Sequence, residues 1–200
     1  MAKYKTRQII TVALTLVAIA IAIAALVSVA RVLFFSNGAL NTAQTNSSQQ
    51  ALLDTSADRS VRMTIRGAII ADETYRSYQI QIAPNSRTLT VYKGYVGQVA
   101  GSINLGNNIP AYEQFVYALN KANFMKGNEL TGDNNDLRGV CAAGRIYEFQ
   151  ILQSNKSLKQ LWTSSCSAAR GSLNAKLDQL TKLFTAQIPN AKSLIGKLWQ

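Results

Sequence analysis

Two residue types set the chemistry open to this sequence: cysteine, which occurs twice, and histidine, which does not occur. Without imidazole there is no Ser-His-Asp triad, no Cys-His dyad and no histidine-based zinc or iron site. Two thiolates alone supply half of a zinc ligand set at most. There is no CxxC pair, so a redox-active disulfide has no local signature either. Cys141 and Cys166 bracket two strand-like runs joined by a turn near Ser154. That places them side by side at the open end of a hairpin, where a bond forms without backbone strain. The expected product is a structural Cys141–Cys166 disulfide, which closes a loop worth about 3–4 kcal/mol on the chain-entropy model.

The other chemistry-bearing residues are basic. Lys and Arg number 21 against 10 Asp and Glu, a formal net charge of +11. The excess lies toward the C-terminus, with Arg145, Lys156, Lys159, Arg170, Lys176 and Lys182 as the candidate contacts for an anionic ligand. Such a field attracts lipid headgroups, wall polymers or nucleic acid, with a strong salt dependence. Asp133, Asn135 and Asp136 cluster with Glu129, but Leu137 and Arg138 stand where a calcium loop needs other residues. We read that stretch as a solvated turn. Tyr75, Tyr78, Tyr92 and Tyr95 are read as packing residues of a sheet rather than a stacking platform. Gly94, Gly97 and Gly101 lack dinucleotide-binding spacing. No nucleophile-elbow, Ser-x-x-Lys or P-loop pattern occurs. No cofactor and no metal is expected.

These residues must be positioned by something, and the chain is divided accordingly. From Gln8 to Ala30 no residue is charged, and Ile, Val, Ala and Leu dominate. About 20 such residues cross a bilayer as a helix. Lys3, Lys5 and Arg7 precede the run and only Arg31 follows closely, which puts the N-terminus in the cytoplasm and the remainder outside. Ser28-Val29-Ala30 has the small residues of a signal-peptidase site, but the apolar run is longer than a signal segment of about 7–15 residues. The expected organisation is a cytoplasmic end at 1–8, a transmembrane anchor at 9–35, a flexible polar stalk at 36–58 and a folded extracytoplasmic domain at 59–200.

Within the domain, Val61-Met63-Ile65, Tyr78-Ile80-Ile82 and Leu89-Val91 alternate with polar residues as half-buried strands do. Gly94 to Asn108 reads as a loop. Pro110 opens a helix with Tyr112, Phe115, Leu119 and Ala122 on one face. Tyr147, Phe149 and Ile151 mark a further strand, Leu158 to Ser164 its partner, and Leu173, Leu177, Leu180, Phe184 and Ile188 a second helix stopped by Pro189. Lys192 and Lys197 accompany a last amphipathic turn with Leu198 and Trp199.

Arg76, Tyr78, Gln81, Ile82 and Leu89 match Arg145, Tyr147, Gln150, Ile151 and Leu158 at a constant offset, and Phe115 matches Phe184. The fold class is therefore α+β: an antiparallel sheet of two hairpin-plus-helix units, in the order βββαββα, with helices on one face. The organisation is that of a single-pass protein of a bacterial cell envelope. The expected role is a non-catalytic binding or scaffold module, with an envelope protein as one class of partner. The alternative is a basic domain for nucleic acid or an anionic envelope polymer, and the third option is an enzyme working through carboxylates.

Overall fold

A computed structural model describes residues 47–169 and 171–198. The expected anchor, the stretch 1–46, Arg170 and Trp199 lie outside the described residues. Among those described, no helix is long and apolar enough to cross a membrane.

Six strands form one antiparallel sheet: β1 (Arg59–Arg66), β2 (Arg76–Ile82), β3 (Ser86–Lys93), β4 (Gln98–Gly106), β5 (Ile146–Gln153) and β6 (Lys156–Ser164). Their spatial order is β4-β3-β2-β1-β5-β6. Residues 47–53 are helical (α1). The later helices are α2 (Ile109–Lys121), α3 (Leu177–Ala186) and α4 (Ala191–Leu198). The α+β class and the antiparallel sheet agree with the sequence pattern, but two elements differ from it.

The first difference is β4, where a glycine-rich loop was expected. Gly94 and Gly97 take φ of 72° and 73° and turn the chain after β3, and the residues that follow pair with β3. β4 is mostly exposed, so only Ile103 and Leu105 contribute apolar surface and no strong alternation announces the strand. The second difference is α1. It falls within the stretch read as stalk, yet Leu52 is 1% exposed and belongs to the main core. Asp54 then pairs with Arg59 at the start of β1 (2.8 Å). The folded unit thus takes in residues upstream of Arg59.

The alternating apolar residues of the sheet share one face. Met63 stands between Ile80 and Phe149, and Val61 between Ile82 and Ile151. This face packs with Tyr112, Phe115, Val116 and Leu119 of α2 and with Leu180 and Phe184 of α3. The Asn108 side chain caps α2 by accepting from Ala111 N–H (2.9 Å), and Pro110 occupies its first turn, where a missing N–H costs nothing. Phe184 touches the rings of Phe115, Phe124 and Phe149 at centroid distances of 5.3, 5.7 and 6.1 Å. α3 begins at Leu177, later than the periodicity from Leu173 implied. Ser172 and Leu173 donate instead to the Trp162 carbonyl, alongside β6 (both 2.9 Å).

The opposite face is polar beyond β1. Arg62 donates through Nε and Nη2 to Gln81 Oε1 (3.1 and 2.9 Å), and Gln81 Nε2 donates to Ser60 Oγ and Asn155 Oδ1 (both 3.2 Å). A second, smaller cluster of Leu137, Cys141, Ile146 and Trp162 covers part of this face at β5 and β6.

Candidate functional site

The constant-offset match in the sequence has a geometric meaning. β2 and β5 both pair with β1 and run on either side of it. Tyr78 and Tyr147 are both opposite Ile65. Arg76 and Arg145 each lie two residues before their tyrosine, Arg76 as the first residue of β2 and Arg145 immediately before β5. Two Arg-x-Tyr pairs thus stand at one height on strands about 10 Å apart, twice the interstrand spacing. Gly67 lies between them, its N–H bonded to the Arg76 carbonyl (3.0 Å). Beyond β3 and β6 the repeat fades. Leu89 is fully buried opposite Ile80, whereas Leu161 takes the matching place opposite Phe149 and Leu158 is 45% exposed.

At this end of the sheet a cleft of about 540 Å³ opens, with Arg76, Arg145, Tyr147, Thr74 and Ser165 among its walls. Arg76 Nη1 donates to the carbonyls of Glu73 and Tyr75 (2.8 and 2.9 Å), which fixes the guanidinium. Burial pushes the Tyr78 hydroxyl up to about 12; Tyr147 adds to the rise and the Arg145 charge pulls it back. Among the described residues no carboxylate lines the cleft. The arrangement is therefore suited to holding an oxyanion: two cationic forks match phosphate or carboxylate geometry, and hydroxyl donors stand beside them.

The disulfide builds one wall. Cys141 and Cys166 are bonded, with Cα atoms 5.7 Å apart, as their spacing predicted. Gly144 passes so close to the bond that a Cβ there would lie 2.6 Å from the Cys141 sulfur and 2.4 Å from Ser165 Oγ. Ser165 Oγ accepts the Arg145 N–H (2.8 Å), and the Ala142 carbonyl accepts the Ile69 N–H (2.8 Å). The bond thereby ties the segment leading into β5, with Arg145, to the loop between β1 and β2.

The other basic candidates do not join Arg145. Lys159 is a correction: it is 6% exposed, on the core face opposite Ile151, and its Nζ donates to the Met125 carbonyl (3.1 Å). Burial lowers its pKa and Glu129 partly offsets this, so the amine is part of the fold rather than a ligand contact. Lys156 is exposed at the β5–β6 turn, the opposite end of β5 from Arg145. Lys176 stands at the start of α3, and Lys182 shares a depression of about 550 Å³ with Lys192 at the α3–α4 corner. The acidic loop does not converge either. Asp136 is clamped by Arg138, with Nε at 2.9 and 2.8 Å from its two oxygens, and Glu129 accepts the Gln160 N–H (3.1 Å). Among the described residues no three potential ligands gather around a metal position.

Arg76 was not singled out as a ligand contact by sequence reasoning, although its match to Arg145 was visible. The signal lay in the repeat rather than in the charge count. No protein-family model matches the chain, and no curated protein matches it.

Proposed function

We propose that the chain is a membrane-anchored, extracytoplasmic and non-catalytic binding domain of the cell envelope, with its recognition site in the Arg76–Arg145 cleft. The observation that carries this reading is that the matched arginines, Arg76 and Arg145, line one cleft from both sides of β1, with Tyr147 beside them. The uncharged run from Gln8 to Ala30, with Lys3, Lys5 and Arg7 ahead of it, supports the anchor and its orientation. The disulfide supports an oxidising compartment. The ligand is a phosphate- or carboxylate-bearing molecule.

A binding titration with inorganic polyphosphate across a salt series tests the site. The R76Q/R145Q variant is expected to lose roughly tenfold or more in affinity at physiological salt, as loss of charge-assisted bonds implies. Unchanged affinity would refute the cleft as the site. Membrane fractionation of the full chain, with protease added to intact cells, tests the anchor and the orientation.

A second reading is favoured by the net charge of +11. Here a diffuse basic surface holds nucleic acid or an anionic envelope polymer through Lys156, Lys176 and Lys182. The triple charge reversal of these lysines then weakens DNA binding and flattens its salt slope, while R76Q/R145Q changes little.

A further inference from the structure

We propose that the cleft end of the domain docks on an anionic lipid surface, with apolar loop tips in the interface and lipid phosphates at Arg76 and Arg145. This rests on the reading of the cleft as an anion site. Two loops stand beside the cleft, residues 67–75 between β1 and β2, and the turn 94–97 between β3 and β4. They expose Ile69 (50%), Ile70 (49%), Tyr95 (52%) and Val96 (92%). Half of the exposed large hydrophobic side chains of the described domain therefore lie on these two loops.

The display is ordered in advance. The rings of Tyr75 and Tyr95 stack at 4.1 Å. The Tyr95 hydroxyl donates to the Ile70 carbonyl (2.8 Å) and accepts the Ile70 N–H (3.1 Å). Asp72 accepts the Tyr95 N–H (2.7 Å), which gives its carboxylate a partner within the knob. Ile69 is held to the disulfide loop through Ala142. Folding thus holds aliphatic side chains out in water on a stiff support, a cost that a partner surface offsets by covering them.

The occupant follows from what adjoins the knob. Ile70 lines the same cleft as Arg76 and Arg145, so apolar surface and guanidinium groups are continuous. Lys93 flanks them, and Asp72 and Glu73 are the exposed opposing charges, outnumbered by Arg76, Arg145 and Lys93. Aliphatic and tyrosine side chains beside cations match the boundary between acyl chains and acidic headgroups. A soluble anion would fill the cleft and leave Val96 in water. Residues 36–46 span at most about 40 Å when fully drawn out, so an anchor at 9–35 keeps a bilayer within reach. That tether raises the effective concentration of the surface and lets a weak contact count.

The fragment 47–200 carries its own core and disulfide, so vesicle co-sedimentation can be run on it directly. Vesicles containing phosphatidylglycerol are compared with pure phosphatidylcholine, and soluble polyphosphate binding is measured in parallel. Wild type is expected to prefer the anionic vesicles roughly thirtyfold, the contribution of two basic side chains near such a surface. The I69S/I70S/V96S variant should lose at least roughly tenfold in vesicle binding, from lost apolar burial, and keep its polyphosphate affinity. R76Q/R145Q should lose both. Vesicle binding by the triple serine variant at wild-type strength overturns the docking proposal. So does a wild type that binds polyphosphate and ignores vesicles, which leaves the cleft reading intact. Polyphosphate binding untouched by R76Q/R145Q overturns the cleft reading itself.

Discussion

On one side of β1 the sheet continues through β2, β3 and β4; on the other it continues through β5 and β6. β2 and β5 meet β1 in the same register, with matched residues at each height. Past that point the two sides diverge. The β6 side is closed. Leu137 and Cys141 pack with Ile146 and Trp162, Glu129 takes the Gln160 N–H, and residues 172–173 bond the outer edge at Trp162. The β4 side keeps a hydrogen-bonded polar face, with Thr88 bonded to Asn104 across the strands (3.3 Å). The three-strand side carries no disulfide, whereas the two-strand side has a loop cover and the Cys141–Cys166 bond. The cleft lies where the common part of the two sides ends, which is why both contribute the matched arginine to it.

The comparison is broken most severely in the core that both sides share. Phe184→Ala should cost about 3–5 kcal/mol in urea unfolding, because its ring is buried against three others. Phe115→Ala should cost a similar amount, and the double variant less than the sum, since the two rings touch. Removing the disulfide with C141S/C166S should cost about 3.5 kcal/mol on the loop-entropy model. Hydrogen exchange should then quicken in β5, β6 and the cleft wall while β2 and β3 stay protected. Equal loss on both sides would show that the staple serves the whole sheet.

Glycine positions sharpen the contrast further. Gly171 has φ of 68°, and an added Cβ would lie 2.2 Å from the Trp162 carbonyl oxygen. Gly171→Ala should therefore cost about 2–3 kcal/mol, from backbone strain plus displacement of the edge cover. Gly97 has φ of 73° and open space around it, so Gly97→Ala should cost only about 1 kcal/mol. Thermal unfolding of the two variants side by side separates conformational strain from crowding.

Two carboxylates give opposite pH signatures. Burial raises the Glu148 pKa above its ordinary 4.5, and Arg66 (2.6 Å away) and Arg62 pull it back. The native state then holds this proton more tightly than the unfolded chain does. Stability from this group falls as pH rises from 4.5 through the raised native value, and is flat above it. Bonds from Ser56 and Arg59 lower the Asp54 pKa below 3.8, so its contribution is present above 3.8 and is lost as pH falls through the lowered native value. Denaturation midpoints of E148Q and D54N against pH should each lose one of these slopes. The smallest effect is expected at Val96→Ser, within about 0.5 kcal/mol, because the side chain touches water rather than the core.

Much of this fold was legible in the sequence where burial is one-sided. Val61, Met63 and Ile65 alternate because one face of β1 is apolar, and Phe115 and Phe184 match because both helices pack on the same core. The disulfide was legible because a hairpin brings its ends together. β4 was not, since an exposed edge strand carries little apolar alternation. Lys159 was misread because a lysine with a long aliphatic stem enters a core when a carbonyl receives its amine. Half of the cleft was legible through Arg145; Arg76 needed the register, which only the strand pairing around β1 supplies.

β4 has one further consequence. Its nine residues, Gln98 to Gly106, contain no charge and no proline, and among the described residues no strand pairs along its outer side. Charged residues and proline are what usually stop one sheet from growing onto another. The edge is therefore open to pairing with a second sheet, and the +11 net charge opposes that approach only at a distance. Copies at high concentration meet a ceiling on packing density at which sheets begin to join, and Ser102→Lys should raise it.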